Sequence, residues 1–165
     1  MDTMTNNTTA ERKSERELVV TRTFNAPAQI VFDAWTKPEL FKRWWVPKSM
    51  GMSLESCEID ARTGGGYRLV FAHEGAVIFE AYGKYLEVTP PSRLVWTNDE
   101  NGDEASVTTL TLEDGDGQTH VVLSELYPSK DALDAAGTGA QDALSETFGQ
   151  LDALLATLRA LGARS

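Results

Sequence analysis

Hydrophobic and polar residues alternate from Glu17 to Phe24, with Leu18, Val20 and Phe24 on one side and Val19, Thr21 and Thr23 on the other. A period of two with this β-branched content predicts a strand. The period then changes. Pro27 suits a first helical turn, where its missing N–H costs nothing, and Ile30, Val31 and Ala34 form a helical stripe. Thr36-Lys37-Pro38-Glu39 has the spacing of a capping box. It would open a second short helix carrying Leu40, Phe41, Trp44 and Trp45 and ending near Pro47. Strand patterns return over Met52 to Asp60, Tyr67 to Ala72, Ala76 to Val88, Arg93 to Thr97, Ala105 to Leu112 and Thr119 to Leu126. Gly64-Gly65-Gly66 marks a turn, Pro90-Pro91 stops the long third segment, and Asp114-Gly115-Asp116-Gly117 reads as a hairpin loop.

The C-terminal part is helical again. Leu144, Phe148, Leu151, Leu155 and Leu158 fall on one stripe of a helix over Ala140 to Leu161, about 33 Å long. Ser129 to Ala136 is an earlier helical piece, with Gly137-Thr138-Gly139 as the break. Met1 to Arg16 shows no periodicity and is expected to be a disordered tail, so the folded unit should run over 17–161. Consecutive strands with short turns imply an α+β domain: an antiparallel sheet of about seven strands with one long helix across its concave face. A twisted sheet of that size curls. One helix cannot fill it, so a mostly apolar gap is expected between sheet and C-terminal helix, closed at one end by the two short helices.

Composition narrows the function classes. The chain has 165 residues, 41% apolar and 24% charged, in the range of a single globular domain. Fifteen Lys and Arg against 25 Asp and Glu leave a net charge of −10, which repels phosphate backbones and argues against nucleic acid as a partner. Leu94 to Ser129 holds eight acids and no Lys or Arg, read either as solubilising loop charge or as a docking face for a basic partner. No run of 18 apolar residues is present, so no membrane-spanning helix is expected. The polar first 17 residues lack an apolar signal core, which points to the cytoplasm. A single cysteine, Cys57, excludes an internal disulfide and a thiolate metal cluster. It alternates with Ile59 and reads as a small buried hydrophobe.

Several stretches together carry a resemblance. They are Val20 to Phe24, Asn25-Ala26-Pro27, Val31-Phe32-Asp33-Ala34-Trp35, Pro38-Glu39-Leu40, Trp44-Trp45, Asp60-Ala61-Arg62-Thr63-Gly64-Gly65, and Gly83 followed by Glu87 to Trp96. In this order they resemble a START-like domain of the SRPBCC superfamily, nearest to the family named after the activator of heat-shock protein 90 ATPase. The resemblance runs from about Leu18 to Leu158. It implies the helix-grip fold, a curved antiparallel sheet gripping a long C-terminal helix, with a hydrophobic ligand cavity between them. It does not imply one activity, since relatives include chaperone activators, lipid carriers and polyketide cyclases. Similar bacterial sequences often carry a Gly-Trp pair inside the long helix. Those positions are Glu146 and Thr147 here, with Phe148 as the nearest aromatic residue.

The candidate chemistry is sparse. Trp44 and Trp45 point about 100° apart on a helix, so they are a core plug and a rim residue, or part of a lid whose indole stacks on a ligand. Phe71, Phe79, Trp96, Leu110, Leu123, Phe148 and Leu151 are plain core taken singly and a cavity lining taken together. His73 shares a parity with Phe71 and can act as acid or base if it enters the cavity; at a strand end beside Gly75 it is otherwise solvated. His120 reads as exposed. Two widely spaced histidines make no metal site. Glu80 and Glu125 would move protons if inward and are ordinary surface charges if outward. Asp60 and Arg62 either hold an anionic head group or brace their hairpin. The glycine triplet lacks the Lys-Ser/Thr of a phosphate loop, and no Gly-x-Ser-x-Gly elbow occurs. No cofactor is implied.

Three functions remain in view. One is a module that binds a small hydrophobic or aromatic molecule in the cavity. The second is a cyclase or dehydratase using His73, Glu80, Tyr85 or Glu125 in the same cavity. The third is a chaperone co-activator acting on a protein partner through the acidic surface.

Overall fold

The computed structural model describes residues 9–46, 49, 51–99, 106–115, 117–137 and 140–163. In chain order these form β1 (Thr9–Arg12), β2 (Glu17–Phe24), α1 (Ala28–Thr36), α2 (Pro38–Phe41), β3 (Ser53–Ile59), β4 (Gly66–His73), β5 (Ala76–Thr89), β6 (Arg93–Asn98), β7 (Ser106–Gly115), β8 (Gln118–Leu126), α3 (Lys130–Gly137) and α4 (Ala140–Ala163). The strands make one open sheet in the order β1-β2-β8-β7-β6-β5-β4-β3, every neighbouring pair antiparallel. With the long C-terminal helix, this is the helix-grip fold. Among the described residues no helix is long and apolar enough to cross a membrane.

Three details correct the sequence reading. Thr9–Arg12 is not tail but strand: it pairs with Leu18–Thr21 of β2 and raises the strand number to eight. Its four residues hold no apolar alternation because they form an edge. Their order comes from the ladder and from Arg12, whose guanidinium reaches Asp134 of α3 at 2.6 Å. Residues 1–8 lie outside the described residues, as do Thr138 and Gly139 of the expected break. Secondly, the Thr36 capping box does not form. Thr36 stays in α1 and its hydroxyl donates back to the Phe32 carbonyl (3.0 Å), while Lys37 becomes the cap of α2 and Pro38 its first residue. Thirdly, α4 continues two residues past Leu161 to Ala163.

The β7–β8 hairpin holds the start of α1. Its strands close through the pair Gly115↔Gln118, with Gly117 at φ +77° supplying the left-handed turn. No side chain of α1's own N-cap satisfies its first N–H groups. Instead Asp114 Oδ2 accepts from the Ala28 N–H at 3.1 Å, which places a carboxylate at the positive helix end. Thr119 Oγ1 donates to the Ala26 carbonyl at 2.7 Å.

The core is built from the inward faces of β2, β7 and β8 (Val20, Phe24, Leu110, Leu112, Val121, Leu123) and the stripe of α4 (Phe148, Leu151, Leu154, Leu155). Phe148 sits among aromatic rings, with centroids 5.5 Å from Phe24, 5.9 Å from Trp35 and 6.4 Å from Trp44. Helix α4 is tied to the β2 side by the Arg22–Asp152 ion pair and by Arg159 donating to the Asn25 carbonyl at 2.7 Å.

Candidate functional site

That arrangement leaves the other half of the sheet without a covering long helix. There the inward residues of four strands face the two short helices around a cavity of about 220 Å³. Strand β3 contributes Ile59; β4 contributes Tyr67, Leu69 and Phe71; β5 contributes Phe79, Ala81 and Tyr85; β6 contributes Trp96 and Asn98. Trp35 from the last turn of α1, Phe41 at the end of α2 and Trp45 close it. The gap expected between sheet and C-terminal helix is therefore displaced: no described residue of α4 lines the cavity. The physical reason is that Phe148, Leu151, Leu154 and Leu155 of α4 are buried against their own side of the bowl.

The lining follows strand parity, and two bulges adjust it. Phe79, Ala81 and Tyr85 alternate inward along β5. A register shift between Tyr85 and Glu87 leaves Leu86 unpaired and turned out, so that Val88 faces inward after it. Nearer the β4–β5 turn a second shift loops out Ile78, keeping Phe79 opposite Phe71.

Five of the candidates read from the sequence meet here: Trp45, Phe71, Phe79, Tyr85 and Trp96. Trp44, Leu110, Leu123, Phe148 and Leu151 are buried in the core and do not line the cavity. The tandem tryptophans thus divide into a plug and a rim. Trp44 is fully buried and donates its indole N–H to the Ala34 carbonyl at 3.0 Å, satisfying one of the last carbonyls of α1. Trp45 stacks on Phe41 at 4.9 Å and faces the cavity. His73 sits at the open end of β4 beside Glu74, half exposed and outside the lining. Glu80 is on the outer face, paired with Arg68 at 3.0 Å. Glu125 accepts from the Tyr127 hydroxyl at 3.0 Å. Asp60 and Arg62 pair with each other at 2.9 Å as a hairpin brace.

Trp35, Tyr67 and Asn98 were missed, together with Phe41, Ile59, Leu69 and Ala81. Two had a legible signal: Tyr67 shares the parity of Leu69 and Phe71, and Asn98 lies two residues beyond Trp96 on one strand. Trp35 was hidden because its role depends on where α1 lands.

No Lys, Arg, His, Asp or Glu is among the described lining residues. The polar end is a fixed network. The Tyr67 hydroxyl is aimed at the Thr97 carbonyl (2.8 Å) and Asn98 Oδ1 (2.9 Å), while Asn98 Nδ2 donates to Ser106 Oγ (2.9 Å) and Thr108 Oγ1 (3.0 Å). Gly83 makes this approach possible: a Cβ there would lie 1.8 Å from the Thr97 carbonyl oxygen and 2.9 Å from the Tyr67 ring. Burial pushes the Tyr85 hydroxyl above the usual tyrosine range, with smaller contributions from Cys57 and Asp60, so it stays protonated. Behind the lining, burial also pushes the Cys57 thiol up to about 11, partly opposed by Lys42. The Trp35 indole N–H is buried with no hydrogen-bond partner among the described residues.

Helix α4 reaches the site indirectly. Gln150 Nε2 donates to the carbonyls of Trp44 and Val46, both at 2.9 Å, and Thr147 Oγ1 donates to that of Trp45 at 3.4 Å. Glu146 accepts from the backbone N–H of Ser49 at 2.9 Å and from its hydroxyl, which holds the Glu146 carboxyl below its ordinary range. The two positions that depart from the Gly-Trp pattern thus clasp the backbone around Trp45.

Solved structures with this architecture include a protein from Rhodobacter sphaeroides (TM-score 0.85, 24% identity, covering 92% of this chain and 99% of that one). Another comes from Nitrosomonas europaea (TM-score 0.80, 27% identity, 90% and 99% covered). A third, from Staphylococcus epidermidis, has a TM-score of 0.78 at 27% identity, with 90% and 94% covered. Among curated proteins the sequence has no significant match. The family model described as "Activator of Hsp90 ATPase homolog 1-like protein" matches residues 25–156. With most of its length inside that match and the helix-grip architecture in place, the chain belongs to the activator of Hsp90 ATPase homolog 1-like family.

Proposed function

We propose that this protein binds a small hydrophobic or aromatic molecule in the cavity between the β3–β6 half of the sheet and the short helices, acting in the cytoplasm. The observation that carries the reading is the cavity itself: about 220 Å³, walled by aromatic rings and without a charged side chain among its described lining. An apolar cavity of ~150 Å³ takes one benzene ring, so this one has room for a fused bicyclic molecule. Binding is favoured over cyclase-type catalysis because His73, Glu80 and Glu125 lie outside the lining, leaving tyrosines as its titratable groups. The test uses tryptophan fluorescence, since Trp35, Trp45 and Trp96 line the space. Titration with naphthalene should give saturable quenching at one site, and native mass spectrometry of freshly purified protein should show a co-purified small molecule. Quenching that never saturates, with no retained mass, would reject the reading.

A further inference from the structure

The reading above leaves open which guests the cavity accepts, and one lining position constrains that. On their inward side, β4 and β5 meet in the cross-strand pairs Phe71↔Phe79, Leu69↔Ala81 and Tyr67↔Gly83. The first pair sets two rings together, with centroids 5.6 Å apart. At the third, the space beside the backbone is already filled: a Cβ on Gly83 would lie 1.8 Å from the Thr97 carbonyl oxygen and 2.9 Å from the Tyr67 ring. Tyr67 in turn packs edge-on against Tyr85 at 6.0 Å. Between these two blocks of rings stands Ala81, partly accessible and part of the cavity wall. Every other described lining residue carries a branched, amide or aromatic side chain.

We infer that Ala81 is the size filter of this site: its methyl group leaves the room that admits a two-ring guest, and a longer side chain there restricts the site to single rings. This rests on the binding function proposed above. The volumes agree. Since ~150 Å³ takes the six carbons of benzene, each carbon needs about 25 Å³. Ala81→Leu would bring three more carbons, roughly 75 Å³ on that scale, into a space of about 220 Å³. What is left is the size of a single-ring site. Gly83, the next inward position of β5, cannot serve in the same way, because the Thr97 carbonyl leaves no room for a side chain.

Calorimetric titration of the native protein and of Ala81→Leu with naphthalene (two rings) and toluene (one ring) tests this. Ala81→Leu should weaken naphthalene about tenfold or more, as overfilling a packed site does, while toluene binds as in the native protein or tighter. Ala81→Val adds two carbons in a β-branched side chain that suits a strand. It should lower the naphthalene-to-toluene affinity ratio in the same direction by a smaller factor, and it carries the test if Ala81→Leu does not fold. An unchanged ratio, whether both affinities hold or both fall together, overturns this inference and leaves the binding function standing. A native protein that binds neither probe overturns the binding function, and the inference with it.

Discussion

Phe79 meets Phe71 across the β4–β5 ladder with ring centroids 5.6 Å apart, yet Phe71 is 9% exposed and Phe79 49%. One ring of the pair is wall and the other is lip. Phe79→Ala should therefore cost little stability, about 1 kcal/mol for the half of the ring that is covered, while weakening naphthalene binding. Urea denaturation and fluorescence titration of the same variant separate the two effects; a large loss of stability with unchanged binding contradicts this assignment.

The adjacent tryptophans should respond in opposite ways. Trp44→Ala removes a fully buried ring and its bond to Ala34, and should destabilise by about 3–5 kcal/mol. Trp45→Ala should cost far less and chiefly reduce ligand affinity. Denaturant midpoints of the two variants, measured side by side, check the contrast.

Gly83→Ala tests the polar end. Its added methyl meets the Thr97 carbonyl, and the strain of overpacking is about 1–3 kcal/mol. Thermal unfolding should show the loss. A variant as stable as the parent would mean that β5 and β6 separate there more easily than their packing suggests.

Cys57 supplies a pH dependence. Its folded value of about 11 lies above the ordinary thiol value of 9.0. Between these values the folded form keeps a proton that the unfolded form releases, so this group's contribution to stability is full below pH 9 and falls as pH rises towards 11. Alkylation by iodoacetamide should be slow at pH 8 in the folded protein and accelerate towards pH 11. Fast alkylation at pH 8 without unfolding would contradict the burial.

Much of the fold was readable from periodicity because each element buries one face. The alternation of Leu18, Val20 and Phe24, the stripe of Phe148, Leu151 and Leu155, and the Asp114–Gly117 turn all reported local geometry that tertiary packing left intact. Strand β1 escaped because an edge ladder needs only backbone groups, and Thr9-Ala10-Glu11-Arg12 advertises no face. The cavity was half legible. Its aromatic strand residues shared a parity, but its position depended on α4 filling one side of the bowl, and no spacing in the chain encodes that lateral offset. Trp35 looked like any core tryptophan, and only the landing of α1 puts it in the cavity wall.

Gln150 gives the clasp around Trp45 a measurable weight. Gln150→Leu strips the Trp44 and Val46 carbonyls of a donor and should cost about 1–3 kcal/mol. It should also speed ligand dissociation in stopped-flow traces, because the backbone that carries Trp45 loosens.

On the binding function proposed above, a helix none of whose described residues lines the cavity would govern how long a guest stays. Exchanges at Glu146, Thr147 and Gln150 would then retune residence time while the described lining remains the same, so two proteins with identical linings need not release a guest at the same rate.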